Sequence, residues 1–447
     1  MIARYTDKLI MLLVAALIFV WPIEHTIALR YALGGVLLLS TVCWFWPKRL
    51  DLVPKLQVRP VSLASLFLGA LTLWFVVQGL WIAPEAHWVW QELKGQWIKD
   101  LLFWELGLAL GAGCLSQNAA VGRQWLFALM AGLSGIVLWN VFACLGLWLT
   151  TGHMPLMHSV TGARATDSYV NNMLLAFLVG DLLARDRQKQ FLPWRREVSL
   201  ILIVFCVVNT AFIGARNGWI GLGMLAFSGV VVHYINGWQK VGKKALIFLP
   251  VLLGLLVAGA WTSWKTDPRW NSLKETLPVA WDIDTHKAWL NTDKYPYPIL
   301  PNGQQADASN YERPAWIHAG LRLVADRPLG AGFSRHAFGH EVARLYPESE
   351  PSPGMHSHSG MIDFAVGAGI PGVVLWLGFV LTLIGFGGVA YFRYGAAAGL
   401  VLVFLTSGFF GRSLLDSAMR DHMLEEFLFV SAFLLPTIGR YWQKRTS

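Results

Sequence analysis

The sequence predicts an all-α, polytopic membrane protein of about twelve transmembrane helices with one large external loop that contains short helices. Three observations carry this. The 447 residues are 55% hydrophobic and only 14% charged, with a mean hydropathy of +0.48, which excludes a soluble globule. Apolar runs long enough to cross a ~30 Å hydrocarbon core recur along the chain. They are continuous instead of alternating, which excludes a β-barrel.

The runs cover roughly 8–23, 26–46, 62–83, 98–115, 124–149, 166–184, 198–213, 217–236, 243–264, 360–390, 395–411 and 424–440. They divide the chain into nine spans over 1–264, a polar segment over 265–357 and three spans over 358–447. The first run passes directly into the second without a small-residue cleavage site, so it reads as a retained helix. Net charge +9 would suggest nucleic acid in a soluble chain, but its distribution argues otherwise. Lys48, Arg49, Lys55 and Arg59 share one short loop; Arg185, Arg187, Lys189, Arg195 and Arg196 share another; Lys240, Lys243 and Lys244 a third. All lie on the side of Arg4, Lys8, Arg440, Lys444 and Arg445, so both termini are expected in the cytoplasm and 265–357 outside. Many of the 23 tryptophans, such as Trp44, Trp46, Trp81, Trp88, Trp90 and Trp97, stand near predicted helix ends as an interfacial belt. Cys43, Cys114, Cys144 and Cys206 all fall within predicted spans, which implies no disulfide framework.

The polar segment is too long for a connector in a compact bundle, so a functional role is expected of it. Ser272 and Glu275 have capping-box spacing. The stretch 311–326 places Trp316, Ile317, Gly320, Leu321 and Val324 on one helical face, and Pro328, Gly330 and Gly332 then stop the helix. Ser334 is positioned to cap a further helix over 335–346.

Several polar residues stand where they need a reason. Arg216, between two apolar spans with almost no loop, either snorkels or meets an anion. Arg313 opens the helix of the polar segment and is either a solvated arginine or a ligand contact. His358 sits where the polar segment meets a membrane helix, a titratable imidazole at the water–lipid boundary. His356 and His358 alternate, and His336 and His340 lie one turn apart beside Glu341, so a zinc site is a competing reading, although no HExxH order occurs. Glu105 and Asp181 read as buried, paired groups more than as a proton relay; a transporter would be expected to show more intramembrane ionisable residues and broken helices in paired halves, and the sequence shows neither.

These residues resemble the O-antigen ligase/polymerase superfamily, specifically the lipid A-core:surface polymer ligases. Its signature is His, then Asn, Ser or Gln, nine residues, and Gly-x-x-Gly, Thr or Tyr; His358, Ser359, Gly369 and Gly372 fit it. His356 fails in the same register because Ile370 occupies its last position. IGARNGWIGL resembles the family's arginine hairpin and assigns Arg216; Arg313-Pro-Ala-Trp316, followed by Asp326–Phe333, resembles its loop motif and assigns Arg313. The order of motifs and spans matches over nearly the whole chain. Gly360 and Met361 depart from a commoner aromatic stretch, Asp363 stands where Glu is frequent, and Asn171 and Asn172 only loosely echo an Asn-rich motif.

The resemblance implies a GT-C-like, metal-independent, inverting glycosyltransferase with no cofactor, in the bacterial inner membrane with a periplasmic active site. Its donor would be O-antigen on undecaprenyl pyrophosphate and its acceptor a sugar hydroxyl of lipid A-core. His358 would act as general base, and Arg216 and Arg313 would stabilise the pyrophosphate bidentately. Arg164, Arg412 and Arg420, in the remaining external loops, are candidates for contact with the phosphorylated core. An O-antigen polymerase or a protein O-oligosaccharyltransferase would use the same donor, and a lipid-linked glycan transporter would bind it without breaking a bond.

Overall fold

The computed structural model describes residues 2–116, 119–185, 191–236, 254, 261, 265, 269–349 and 355–443. Hydrocarbon offers the backbone no hydrogen-bond partner, so apolar segments satisfy their own N–H and C=O groups as helices. The described residues follow this rule, with no strand beyond an isolated bridge between Ile299 and Gln305. The helices are α1 (Ile2–Val20), α2 (Ile27–Phe45), α3 (Arg49–Leu56), α4 (Arg59–Val77), α5 (Ala86–Glu92), α6 (Ile98–Ser116), α7 (Ala119–Thr151) and α8 (Arg164–Ala184). Then come α9 (Arg196–Ile213), α10 (Arg216–Asn236), α11 (Arg269–Trp281), α12 (Ala308–Asp326), α13 (Ala337–Leu345), α14 (Gly360–Tyr394), α15 (Ala397–Ser413) and α16 (Asp421–Gln443).

The protein is a polytopic all-α membrane protein. Six stretches among the described residues are long and apolar enough to span: Ile27–Leu56, Arg59–Ile82, Gly122–Thr151, Arg196–Ile213, Gly360–Tyr394 and Asp421–Trp442. The other expected runs fall on further helices, except 243–264, which lies almost wholly outside the described residues. The count of twelve is therefore not fixed by the structure.

The core runs along α8 and α16. α8 is buried over nearly its whole length among α7, α9, α10 and α15. α16 lies against α6, where a Cβ on Gly107 or Gly111 would come within 2.3 Å of the Phe429 or Phe433 carbonyl. Without a hydrophobic drive between helices in lipid, such backbone approach supplies the van der Waals contact that holds them.

In the polar segment α11, α12 and α13 enclose a separate small core of Trp289, Tyr311, Ala315, Ala319, Leu323 and Phe338. Three expectations are corrected here. α11 runs through Ser272, which is not its cap; the hydroxyl accepts the Asn310 amide at 3.0 Å instead. α12 begins at Ala308 behind Asp307, whose carboxylate caps it, and its buried stripe is Tyr311, Ala315, Ala319 and Leu323. Leu321, placed on the apolar face from periodicity, is exposed. Ser334 does not cap with its side chain; its carbonyl accepts the Ala337 N–H at 3.4 Å, and α13 starts after the turn that follows.

Candidate functional site

The floor of the site is a break in α14. Gly369 takes φ 68° and ψ −178°, and Pro371 two residues on has no N–H to donate. An interrupted helix in a membrane protein must find other partners for its carbonyls. The turn 328–332 supplies them, with Ala331 N–H on Val366 O at 2.9 Å and Gly332 N–H on Gly367 O at 3.0 Å; the Ile370 N–H returns to Pro328 O at 2.8 Å. From α4, Trp74 Nε1 donates to Ala368 O at 2.7 Å. Gln78, fully buried, donates to Leu329 O at 2.8 Å and Gly367 O at 3.0 Å and accepts the Phe333 N–H at 3.2 Å. The two motifs read separately in the sequence are thus one knot, tied by a glutamine.

At the N-terminus of α14 the chain is held in a tight turn. His358 has φ 56°, the left-handed region that side chains with a Cβ avoid by roughly 1–2 kcal/mol. The surroundings over-determine it. Ser357 N–H donates to Asp363 Oδ1 at 2.8 Å and Ser357 Oγ to Ser359 O at 2.9 Å. Ser359 Oγ caps α14 by accepting the Ile362 N–H at 3.3 Å, and Gly360 N–H reaches Asp416 O at 2.9 Å. His358 N–H donates to His356 Nδ1 at 3.2 Å, which leaves the proton of a neutral His356 on Nε2. Strain held this firmly is a mark of functional positions.

The His358 ring stacks on Trp316 at 5.2 Å and 22°, and meets His356 edge-on at 4.1 Å. Trp316 is itself fixed by its Nε1 on Trp289 O at 3.1 Å. Burial, then the neighbouring His356 and the Arg313 guanidinium, push the His358 imidazole down to about 4. Burial, with Arg420 next, also lowers His356. Both rings face a cleft of about 390 Å³ with Trp289, Asp293, Glu312 and Trp316 in its walls. A second, much smaller cavity of about 40 Å³ lies between the polar segment and the bundle, with Arg335, Arg420, Asp363 and Ser417 among its walls.

The sequence-selected residues are placed as follows. Arg313 lies one helical turn before Trp316 on α12, close enough for its charge to act on His358 and His356. Arg216 is the first residue of α10, after α9 ends in the left-handed Gly214; its side chain lies outside the described residues. The start of α10 is at the His358 end of the bundle: a Cβ on Gly218 would lie 2.8 Å from Ser168 Oγ, which accepts from Arg412 Nη1 at 3.0 Å. Arg412 in turn binds Asp416, whose carbonyl holds Gly360. Arg412 is 1% exposed and also donates to Ala165 O at 2.6 Å, so its guanidinium is engaged within the protein. Arg164 is exposed at the start of α8, and Arg420 is half-buried with Nη1 on Arg335 O at 3.3 Å. His340 stacks on Trp88 at 3.8 Å and lies 6.2 Å from His336, and burial lowers both imidazoles. Among the described residues no three His, Cys, Asp or Glu side chains gather as metal ligands. Sequence reasoning did not find Trp316 as the partner of the histidine, nor Asp363 as its anchor.

The arrangement is a polytopic helix bundle with a partly buried imidazole, cationic side chains and an open cleft at one end. Residues 199–377, which contain the arginine hairpin, the polar segment and the histidine turn, match the family model described as O-antigen ligase. The match supports a place in the O-antigen ligase superfamily and covers less than half of the chain. No curated protein matches the chain.

Proposed function

We propose that this protein is an O-antigen ligase: it transfers a glycan from undecaprenyl pyrophosphate to a sugar hydroxyl of lipid A-core, at the periplasmic face of the inner membrane and without a metal ion. The observation that carries the reading is the strained His358, stacked on Trp316 beside Arg313 and opening into the 390 Å³ cleft. In the reaction the acceptor oxygen forms a bond to the anomeric carbon from the face opposite the leaving group. The bond from that carbon to pyrophosphate breaks, its electron pair departs on undecaprenyl pyrophosphate, and the hydroxyl proton passes to His358. The imidazole is neutral at physiological pH, the protonation state that this role needs. A bound pyrophosphate offsets the cationic field of Arg313 and so raises the basicity of His358 when donor is present. Arg313 and Arg216 would meet the phosphate oxygens bidentately as charge grows on the leaving group. Arg164, exposed, and Arg420, half-buried, are the cations assigned to acceptor phosphates, with Arg412 bonded beside each, to Ala165 O and to Asp416.

The test is transfer by the full chain in detergent with EDTA present, wild type beside His358→Ala, given undecaprenyl-pyrophosphate glycan and lipid A-core. Glycan on lipid A-core with wild type alone is the expected result. Longer lipid-linked glycan with core untouched would mean a polymerase. Loss of activity on chelation, restored by zinc or magnesium, would overturn the metal-free scheme.

A further inference from the structure

The cleft in front of His358 and the small cavity behind it differ in charge. The cleft has Asp293 and Glu312 in its walls, Asn291 and Thr292 beside them, the two Trp residues, and two imidazoles whose hold on a proton burial weakens. Among the described residues that line it there is no Lys or Arg. The cavity across the His356 turn instead contains the guanidinium groups of Arg335 and Arg420, beside Glu92 and Asp363, and Ser417, whose Oγ lies 3.3 Å from His356 Nδ1, links the two. At about 390 Å³ the cleft is within the ~300–1,000 Å³ range of small-molecule sites. Its composition, aromatic walls with carboxylates and an amide, suits a ring with apolar C–H faces and an equatorial fringe of hydroxyl donors.

We infer that this cleft is a subsite for an uncharged pyranose, the acceptor sugar whose hydroxyl meets His358, and that Asp293 and Glu312 exclude phosphorylated or otherwise anionic sugars from it. The inference rests on the transferase reading for the sugar's role but not for its binding. Glu312 is held by the Tyr297 hydroxyl, so its carboxylate is oriented instead of free to swing away. Asp293 stands exposed in a turn closed by its own N–H on Asn291 Oδ1 at 2.9 Å, which leaves its side chain replaceable without touching the fold. Phosphates on the acceptor must then lie outside the cleft.

The experiment is saturation-transfer NMR on the full chain in detergent, with lipid-free core oligosaccharide before and after phosphatase treatment as the probes. The dephosphorylated probe should show strong saturation and the phosphorylated one roughly fivefold less, the fold-change that ~1 kcal/mol of exposed charge repulsion produces. Asp293→Lys should erase or invert that preference, and Trp316→Phe should weaken saturation of both. Equal saturation of the two probes by wild type, an unchanged preference in Asp293→Lys, or no saturation by either would overturn the subsite. Saturation with the expected preference in a protein that moves no glycan would keep the subsite and remove the transferase; transfer without the preference would do the reverse.

Discussion

Gly330 and Gly369 approach so closely that neither has room for a side chain. A Cβ on Gly369 would lie 2.3 Å from the Leu329 carbonyl carbon and 2.5 Å from Gly330 N; one on Gly330 would lie 2.4 Å from Gly367 O. Both residues also have positive φ, 84° and 68°. Gly369→Ala and Gly330→Ala should therefore each destabilise the protein by about 1–3 kcal/mol and lower transfer with it. Thermal unfolding in detergent, followed by gel filtration, measures this. A variant as stable as wild type would mean the two segments separate without cost.

Gln78 makes three hydrogen bonds with a single buried side chain. Gln78→Leu keeps the volume and strands the Leu329 carbonyl and the Phe333 N–H, while Gly367 O keeps only the Gly332 N–H, for a loss on the order of 2–3 kcal/mol. The same unfolding measurement applies. Gln78→Glu should be about as damaging, because a carboxylate cannot donate to Leu329 O and Gly367 O.

His358→Asn should separate chemistry from folding. Asparagine accepts the left-handed backbone better than alanine does, so the turn survives while the base is gone. Transfer should drop by roughly 10²–10⁴ with the unfolding temperature little changed. A collapse of stability equal to the loss of activity would make His358 a structural residue.

The pH dependence follows from the depressed imidazole. With His358 at about 4 in the folded protein, the base is already unprotonated at neutral pH, and kcat/KM should stay level on acidification to about pH 5 and fall only near 4. Because the unfolded imidazole binds its proton near 6.5, folded stability should fall as pH drops from about 6.5 to 4 and be indifferent to this group above that window. Arg313→Gln removes one of the charges that hold the imidazole down, so the activity midpoint should move upward. A midpoint that stays put would place Arg313 too far away to matter. Arg313→Lys and Arg216→Lys should both turn over poorly, since an ammonium cannot supply the bidentate fork.

The arginines assigned to the acceptor should divide into two kinds. Arg412→Ala leaves Asp416 without its cation and should cost about 3–5 kcal/mol in stability. Arg420→Ala and Arg164→Ala should fold, and raise the KM for lipid A-core by several-fold. An Arg412 variant that is stable with only a raised KM would reverse this division.

How legible this was in the sequence depends on which physical quantity a residue obeys. Apolar length is local, so the helices stood where the runs did, and the only run without a described helix is 243–264. Periodicity gives an angle around a helix but not what faces it. Periodicity places Trp316 and Leu321 on one helical face, whereas Trp316 turns to His358 and Leu321 to the surface, because the packing partners of α12 lie on its Tyr311–Ala315 side. Ser272 had capping spacing, yet the helix had already begun upstream. His358 was legible through its motif alone; its strain, the Asp363 anchor and the pairing of Gly330 with Gly369 are long-range and leave no local trace.

The break at Gly369 has a mechanical meaning. The nine residues Gly360–Ala368 hang from the Pro328–Gly332 turn, from Trp74 of α4 and from Gln78 just beyond it, so they are tied to these neighbours more than to the long helix below. A bilayer that thickens or tilts the Ile370–Tyr394 portion loads the joint, not the imidazole. The spacing between His358 and Trp316 is thereby decoupled from membrane thickness, as a hinge decouples a door from the settling of its frame.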